Sequence, residues 1–204
     1  MKNNYEQISL KPGFMKHNGG LLFKSISKEE YEFKLISPEE CKEPDFLKLQ
    51  PFGKIPVLIT PDGNSICETM AITAHLVEKF PQLAPPQGSY QRDLQWQYIS
   101  LMATSIYLGY HRQFYSHYYA PTEVSKEVGK IAADQREIGY SYLETVFCPY
   151  LLGDKPMAVD FYLLMLTRWD PNIKDLVKDK PKLSEFIQNM RSHNTVISVL
   201  NSHK

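Results

Sequence analysis

The 204-residue sequence contains no long run of uncharged apolar residues, and its start, MKNNYEQISL, lacks the apolar core of a secretion signal. A soluble cytoplasmic protein is the expectation, with no membrane partner. Charge of one sign is not in excess either, because 23 Lys and Arg balance 23 Asp and Glu. That removes the broad field by which nucleic-acid and anionic-lipid binders attract their partners, so no nucleic-acid partner is expected. Cysteine is scarce: Cys41, Cys67 and Cys148 are odd in number and lack metal or redox spacing. Reduced thiols in a reducing compartment follow. There is no metal-ligand cluster, no phosphate-cradling glycine loop, no internal repeat and no low-complexity segment. No metal and no tightly held cofactor are expected.

What the sequence does have is a dense stretch from Pro51 to Phe80. Ile55-Pro56-Val57-Leu58-Ile59 is an apolar run of strand length. Pro61-Asp62-Gly63-Asn64 supplies turn chemistry, and Ser65-Ile66-Cys67 makes the return strand of a hairpin. Glu68-Thr69 then precedes a helical pattern in which Met70, Ile72, Thr73, Leu76, Val77 and Phe80 share a face. Pro56 stands at a strand start, where its missing N–H matters least. A cis bond there would leave the main chain of Ile55 open to a ligand. Glu68-Thr69 falls at a helix N-terminus, which favours an anion, and a carboxylate beside it can hold an ammonium. The plainer reading is a hairpin followed by a capped helix.

Around this stretch the chain falls into two parts. Tyr5–Leu10 and Tyr31–Ile36 alternate as strands, separated by a glycine-interrupted helix pattern in FMKHNGGLLFKSI. With a short helical turn over Asp45–Leu49, the order is β-α-β-α-β-β-α. A proline-rich linker, Pro81–Gly88, separates this from a helical remainder. Gln91 to about Tyr119 shows Leu94, Tyr98, Leu101, Met102, Ser105 and Leu108 at helix-core spacing, with many aromatics. These rings read either as core packing or as the lining of an apolar pocket. A second long helix is expected over Thr122–Val146, and short helices over Leu183–Arg191 and Thr195–Leu200.

The Pro51–Phe80 stretch resembles the glutathione-binding half of a glutathione transferase. Gly53-Lys54-Ile55-Pro56-Val57-Leu58 matches that family's cis-proline strand, and Glu68-Thr69 its Glu/Asp-Ser/Thr pair. Gly153 and Asp160 are similar to the capping-box segment of its C-terminal domain, with Met157 at the capping Ser/Thr position. The resemblance implies α/β plus all-α architecture: an N-terminal thioredoxin-like domain over 1–82, then a C-terminal helical bundle over 90–204. It implies that Ile55 and Pro56 hold the cysteinyl backbone of glutathione, that Glu68 and Thr69 hold the γ-glutamyl head, and that Lys42 meets the glycyl carboxylate. Glutathione would be co-substrate, with no other cofactor, and a small apolar electrophile its partner. A homodimer is implied, with Phe52 resembling the aromatic that some classes insert into the partner.

The loop Lys11-Pro12-Gly13-Phe14-Met15-Lys16-His17 resembles that of the bacterial beta class but departs from it. Met15 stands at the cysteine position and Lys16 at the serine position. Thiol–disulfide exchange needs a cysteine there. Lys16 is the nearest group able to stabilise a thiolate, followed by His17 and Asn18; alternatively, Lys16 and His17 are solvated loop residues. Aligned with the class's helical pattern, Tyr107 takes a histidine position that reaches glutathione, and His111 lies one turn on. Two functions follow from the resemblance: conjugation of the glutathione thiolate to an apolar electrophile, or a non-catalytic glutathione-binding or protein-interaction role on the same fold.

Overall fold

A computed structural model describes residues 6–10 and 32–202. The chain divides into two compact units. One comprises the chain up to Leu83 together with His193–Lys204; the other runs from Ala84 to Ser192. The last helix therefore groups with the first unit, not with the helical domain expected to run to the C-terminus. It is a nine-residue amphipathic helix, too short to be stable alone. Its own sequence does not say which unit it docks on.

The first unit is built on a four-stranded sheet of order β2-β1-β3-β4. Its strands are β1 (Glu6–Leu10), β2 (Glu32–Ile36), β3 (Val57–Ile59) and β4 (Ser65–Cys67). β1 pairs parallel with β2 and antiparallel with β3, and β3 pairs antiparallel with β4. Helix α1 (Pro44–Leu49) and helix α2 (Thr69–Lys79) complete what is described of the expected order. The helix expected between β1 and β2 lies outside the described residues. Ile8, Ile36, Cys41, Phe46 and Val57 form a buried core cluster. On α2 the buried residues are Ile72, Thr73, Leu76 and Val77, as the 3.6-residue period requires; Met70 and Phe80 are only half-buried.

The second unit is helical: α3 (Tyr90–Leu101), α4 (Leu108–Phe114), α5 (Thr122–Val146), α6 (Ala158–Thr167), α7 (Ile173–Leu176) and α8 (Pro181–Ser192). The helix expected from Gln91 to Tyr119 is interrupted. Met102–Tyr107 winds as a π-helix between α3 and α4, and Ser116–Tyr118 is a 3-10 turn. Its buried face also differs from the expected one. Tyr98 and Met102 are buried, but Leu94, Leu101, Ser105 and Leu108 are only half-buried; Gln95, Ile99, Ile106 and Tyr110 hold the core instead. Two buried polar side chains, Arg92 and Gln95, hide the true stripe from an apolar count. Gly109 and Gly139 let helices approach closely: a Cβ on Gly109 would stand 2.8 Å from Cβ of Arg136, and one on Gly139 2.9 Å from Ile106.

Helix α6 begins without a capping hydroxyl, and Asp160 does the work from inside the first turn. Its carboxylate accepts from the N–H of Met157 at 2.8 Å and of Leu151 at 3.0 Å. Burial pushes this carboxyl up to about 7, against the pull of its backbone hydrogen bonds. The folded chain therefore holds the proton more tightly than the unfolded one. Asp160's contribution to stability is full below the ordinary carboxylate range and is lost as pH rises through about 7. Urea unfolding should thus show a fall in stability between about pH 4 and about pH 7 that is absent from Asp160→Asn; the same fall in both proteins would contradict the assignment.

Candidate functional site

The first unit's site grows out of the β3–β4 hairpin. Before β3 the chain turns at Gly53, whose φ is +60°; a Cβ there would lie 2.8 Å from the carbonyl oxygen of Cys41. A side chain would collide with fixed backbone, so only glycine lets the strand start run against the 3-10 turn Glu40–Lys42. Lys42, exposed at the end of that turn, is thereby carried next to the Gly53 segment. The Ile55–Pro56 peptide is cis. Among the described residues, the main chain of Ile55 takes no part in the turn and ladder hydrogen bonds.

The hairpin turn is set by Gly63 at φ +85° and by Thr60, whose hydroxyl donates to Asp62 at 2.5 Å. It returns the chain so that Cys67 pairs with Val57. The next residues beyond this last pair are Pro56 on one strand and Glu68 on the other. Register alone therefore brings Ile55-Pro56 and Glu68-Thr69 to one end of the hairpin.

Glu68 is the N-cap of α2 and has φ +69° and ψ 129°. A side chain in that backbone region costs about 1–3 kcal/mol. The strain is not offset by capping, because Glu68 makes no side-chain cap bond. Its exposed carboxylate instead stands beside the first turn of α2, where the N–H groups of Thr69, Met70 and Ala71 have no carbonyl one turn back to bind. A negative side chain next to anion-seeking donors is a suitable cradle for an ammonium and a carboxylate on one carbon.

The described cysteines of this unit hold their protons more tightly than a free thiol does. Burial pushes the Cys41 thiol up, and burial with the adjacent Glu68 charge does the same for Cys67, which donates to Leu49 O at 3.3 Å. Lys16, with Met15, His17 and Asn18, lies outside the described residues.

The remaining two predicted positions are neighbours in the second unit. Tyr107 ends the π segment, its ring 5.5 Å from Trp169 and 6.2 Å from His111. His111 Nδ1 is hydrogen-bonded to the Tyr119 hydroxyl at 2.8 Å, and Tyr115 packs on its ring at 5.0 Å. Sequence reasoning missed Tyr115 and Tyr119 as partners of His111, and Gly53 as the residue that brings Lys42 alongside. Gly53 was visible as a glycine before a strand; the aromatic partners lie beyond a helix end that periodicity did not reveal.

A small thioredoxin-like α/β unit carrying such a hairpin, with a helical unit after it, defines a class of protein, and comparison with known proteins agrees. Residues 5–78 match the glutathione S-transferase N-terminal domain. The chain is 26% identical over 155 residues to the uncharacterized GST-like protein YncG of Escherichia coli K12, covering 69% of this chain and 75% of that one. It is 23% identical to glutathione S-transferase GstA of Escherichia coli O157:H7, covering 84% and 87%. A glutathione transferase homologue from Sulfitobacter with bound glutathione has the same fold, with a TM-score of 0.80, 18% identity and 98% coverage of both chains. Residues 5–78 thus carry the glutathione S-transferase N-terminal domain.

The strain at Glu68 yields a stability test that needs no ligand. Glu68→Ala keeps a Cβ at this φ, whereas Glu68→Gly removes it. The glycine variant should be about 0.5–1 kcal/mol more stable than the alanine variant by urea unfolding, since relief of the left-handed strain exceeds glycine's entropic cost. The opposite order would show that the backbone here is not strained by its side chain.

Proposed function

We propose that this chain binds glutathione on its first unit and transfers the thiolate to a small apolar electrophile. The observation that carries the reading is the meeting, at one hairpin end, of the cis Ile55–Pro56 peptide with Glu68 at the N-terminus of α2. A γ-glutamyl head has an ammonium and a carboxylate on one carbon. Glu68 takes the ammonium, and Thr69 with the first N–H groups of α2 takes the carboxylate. The main chain of Ile55 pairs with the cysteinyl backbone as a short antiparallel addition. Lys42, beside Gly53, takes the glycyl carboxylate. Tyr107 takes the position from which the beta-class histidine reaches glutathione, with His111 one turn on, and both are proposed as substrate-binding residues.

Sulfur activation is assigned to Lys16, because Met15 and Lys16 replace the usual cysteine and serine. An ammonium stabilises a thiolate by charge. That replacement also motivates a second reading, a protein that binds glutathione, or a protein partner, without transfer. The homodimer is proposed with the first reading; Phe52, 79% exposed, is the residue offered to the partner. Among the described residues no helix is long and apolar enough to cross a membrane.

Two measurements test the reading. Glu68→Ala should weaken glutathione binding, followed by calorimetry, by about 1.5–3 kcal/mol, the range for a hydrogen bond to a charged group; unchanged affinity would remove Glu68 from the site. Ultraviolet titration of the bound thiol should show ionisation well below the free-thiol value of about 8.5. Saturable binding with no such shift would select the non-catalytic reading.

A further inference from the structure

The β3–β4 hairpin has a second end, away from the meeting of Ile55-Pro56 with Glu68-Thr69. There the chain turns over residues 60–64, and α2 runs back from Thr69 so that its later residues reach the turn. Between turn and helix lies a cavity of about 460 Å³. Thr60, Asp62 and Asn64 line it from the turn, and His75 and Lys79 from α2; Pro61 and Ile66 complete its wall. All of these residues belong to the first unit. Asp62 is fixed from two sides. The Thr60 hydroxyl donates to one carboxylate oxygen at 2.5 Å and the Asn64 amide to the other at 2.6 Å. Each oxygen keeps a further lone pair for a ligand. The hydrogen bond from Thr60 above all holds the carboxyl below the ordinary carboxylate range, and the charge of Lys79 adds to the effect.

Lys79 is exposed in the last turn of α2. Its charge is felt at Asp62, yet among the described residues neither of the two is in an ion pair. Burial and the Lys79 charge lower the pKa of His75 against the pull of Asp62, so the imidazole is uncharged at neutral pH. One carboxylate and one ammonium therefore face the same cavity without closing on each other. That arrangement selects by charge. An anion meets Asp62 and a cation meets Lys79, while an uncharged molecule takes water from both and returns nothing. A molecule with an ammonium and a carboxylate satisfies both at once. Pro61 and Ile66 offer apolar surface to the rest of it.

We propose that the cavity between the hairpin turn and the second half of α2 binds a free amino acid with an aliphatic side chain. Asp62 takes its ammonium, Lys79 takes its carboxylate, and the side chain rests on Pro61 and Ile66. The site lies at the opposite end of the hairpin from the glutathione cradle and does not rest on that reading.

The test uses the full chain and three probes of one carbon skeleton: leucine, isocaproate, which lacks the ammonium, and isoamylamine, which lacks the carboxylate. Binding is followed by amide and imidazole shifts in nuclear magnetic resonance spectra. Leucine should bind saturably and about tenfold more tightly than either analogue, with shifts centred on residues 60–66 and 75–79. Lys79→Met, a surface change that leaves the turn intact, should bring leucine down to the affinity of isoamylamine. Asp62→Asn should bring it down to that of isocaproate. Equal affinity for the three probes, no saturable leucine binding, or a preference over isoamylamine that survives Lys79→Met overturns the proposal. Shifts centred on Glu68 and Thr69 would put leucine in the glutathione cradle and overturn it as well. Glutathione is titrated in parallel. Leucine binding at the turn without glutathione binding would support this site and overturn only the glutathione reading; glutathione binding without leucine binding would do the reverse.

Discussion

The second unit is organised around one buried cation. Arg136, on α5, has its side chain 10% exposed, and a guanidinium out of water demands partners on every side. It finds Asp170 at 3.3 Å, the side-chain oxygen of Gln113, and the face of Tyr110 at 4.0 Å. Asp170 in turn accepts from the Tyr110 hydroxyl at 3.0 Å and, through its other oxygen, from the N–H of Asn172 at 2.9 Å. Because Tyr110 has spent its one proton on Asp170, Tyr140 must donate to Tyr110 across 3.0 Å. Burial pushes both phenols up, so they stay neutral. Such a network adds little net stability over a well-packed apolar core, but breaking it by removing one partner costs about 3–5 kcal/mol. What it does supply is specificity of register. It fixes α4, α5 and the start of the segment after α6 to one another, and Gly109 exists because Arg136 must pass beside it.

The first unit uses the opposite device. Its core is apolar and its site is open and strained. Gly53 pulls the strand start against Cys41 at a distance only glycine tolerates, and Glu68 accepts a backbone conformation that its side chain opposes. Strain of this kind survives only where the surroundings over-determine it. Here the β3–β4 ladder fixes Cys67 on one side, and the first hydrogen bond of α2, from Ile72 N–H to Glu68 C=O at 2.9 Å, fixes the other. On the glutathione reading, a Glu68 backbone held in this way would be in place before any ligand arrives, and less ordering entropy would be lost on binding.

These two devices differ in how far a sequence discloses them. The sheet, the hairpin and α2 were legible because apolar alternation, turn residues and a 3.6-residue stripe all agree over residues 55–80. The cis peptide was legible as a proline at a strand start. The positive φ of Glu68 was not, since nothing in a glutamate announces a left-handed backbone. In the helical unit the period misled. Apolar counting chose Leu94, Leu101 and Leu108, while the chain buried Arg92 and Gln95 and inserted a π turn at Met102–Tyr107. A buried polar residue looks like surface to any hydropathy pattern. A π turn moves every later residue around the axis, so a stripe read across it is displaced. The grouping of the final helix with the first unit was hidden for a related reason: amphipathicity tells which face is covered, never by what.

Magnitudes constrain what Lys16 would have to do. Lowering a thiol from about 8.5 to about 6.5 requires about 2.7 kcal/mol of preference for the thiolate. A solvated ammonium near the sulfur supplies about 1 kcal/mol at most, and a helix N-terminus about 0.3–1 kcal/mol. Summed at the surface, these fall short by about a quarter or more. The two contributions suffice only where bound glutathione excludes water from the sulfur, because the same charges then act through a lower effective dielectric. On this account, activation belongs to the liganded protein and not to the loop by itself. On the transferase reading, a chain with an ammonium in place of a hydroxyl donor would depend on how completely bound glutathione keeps water from its thiol.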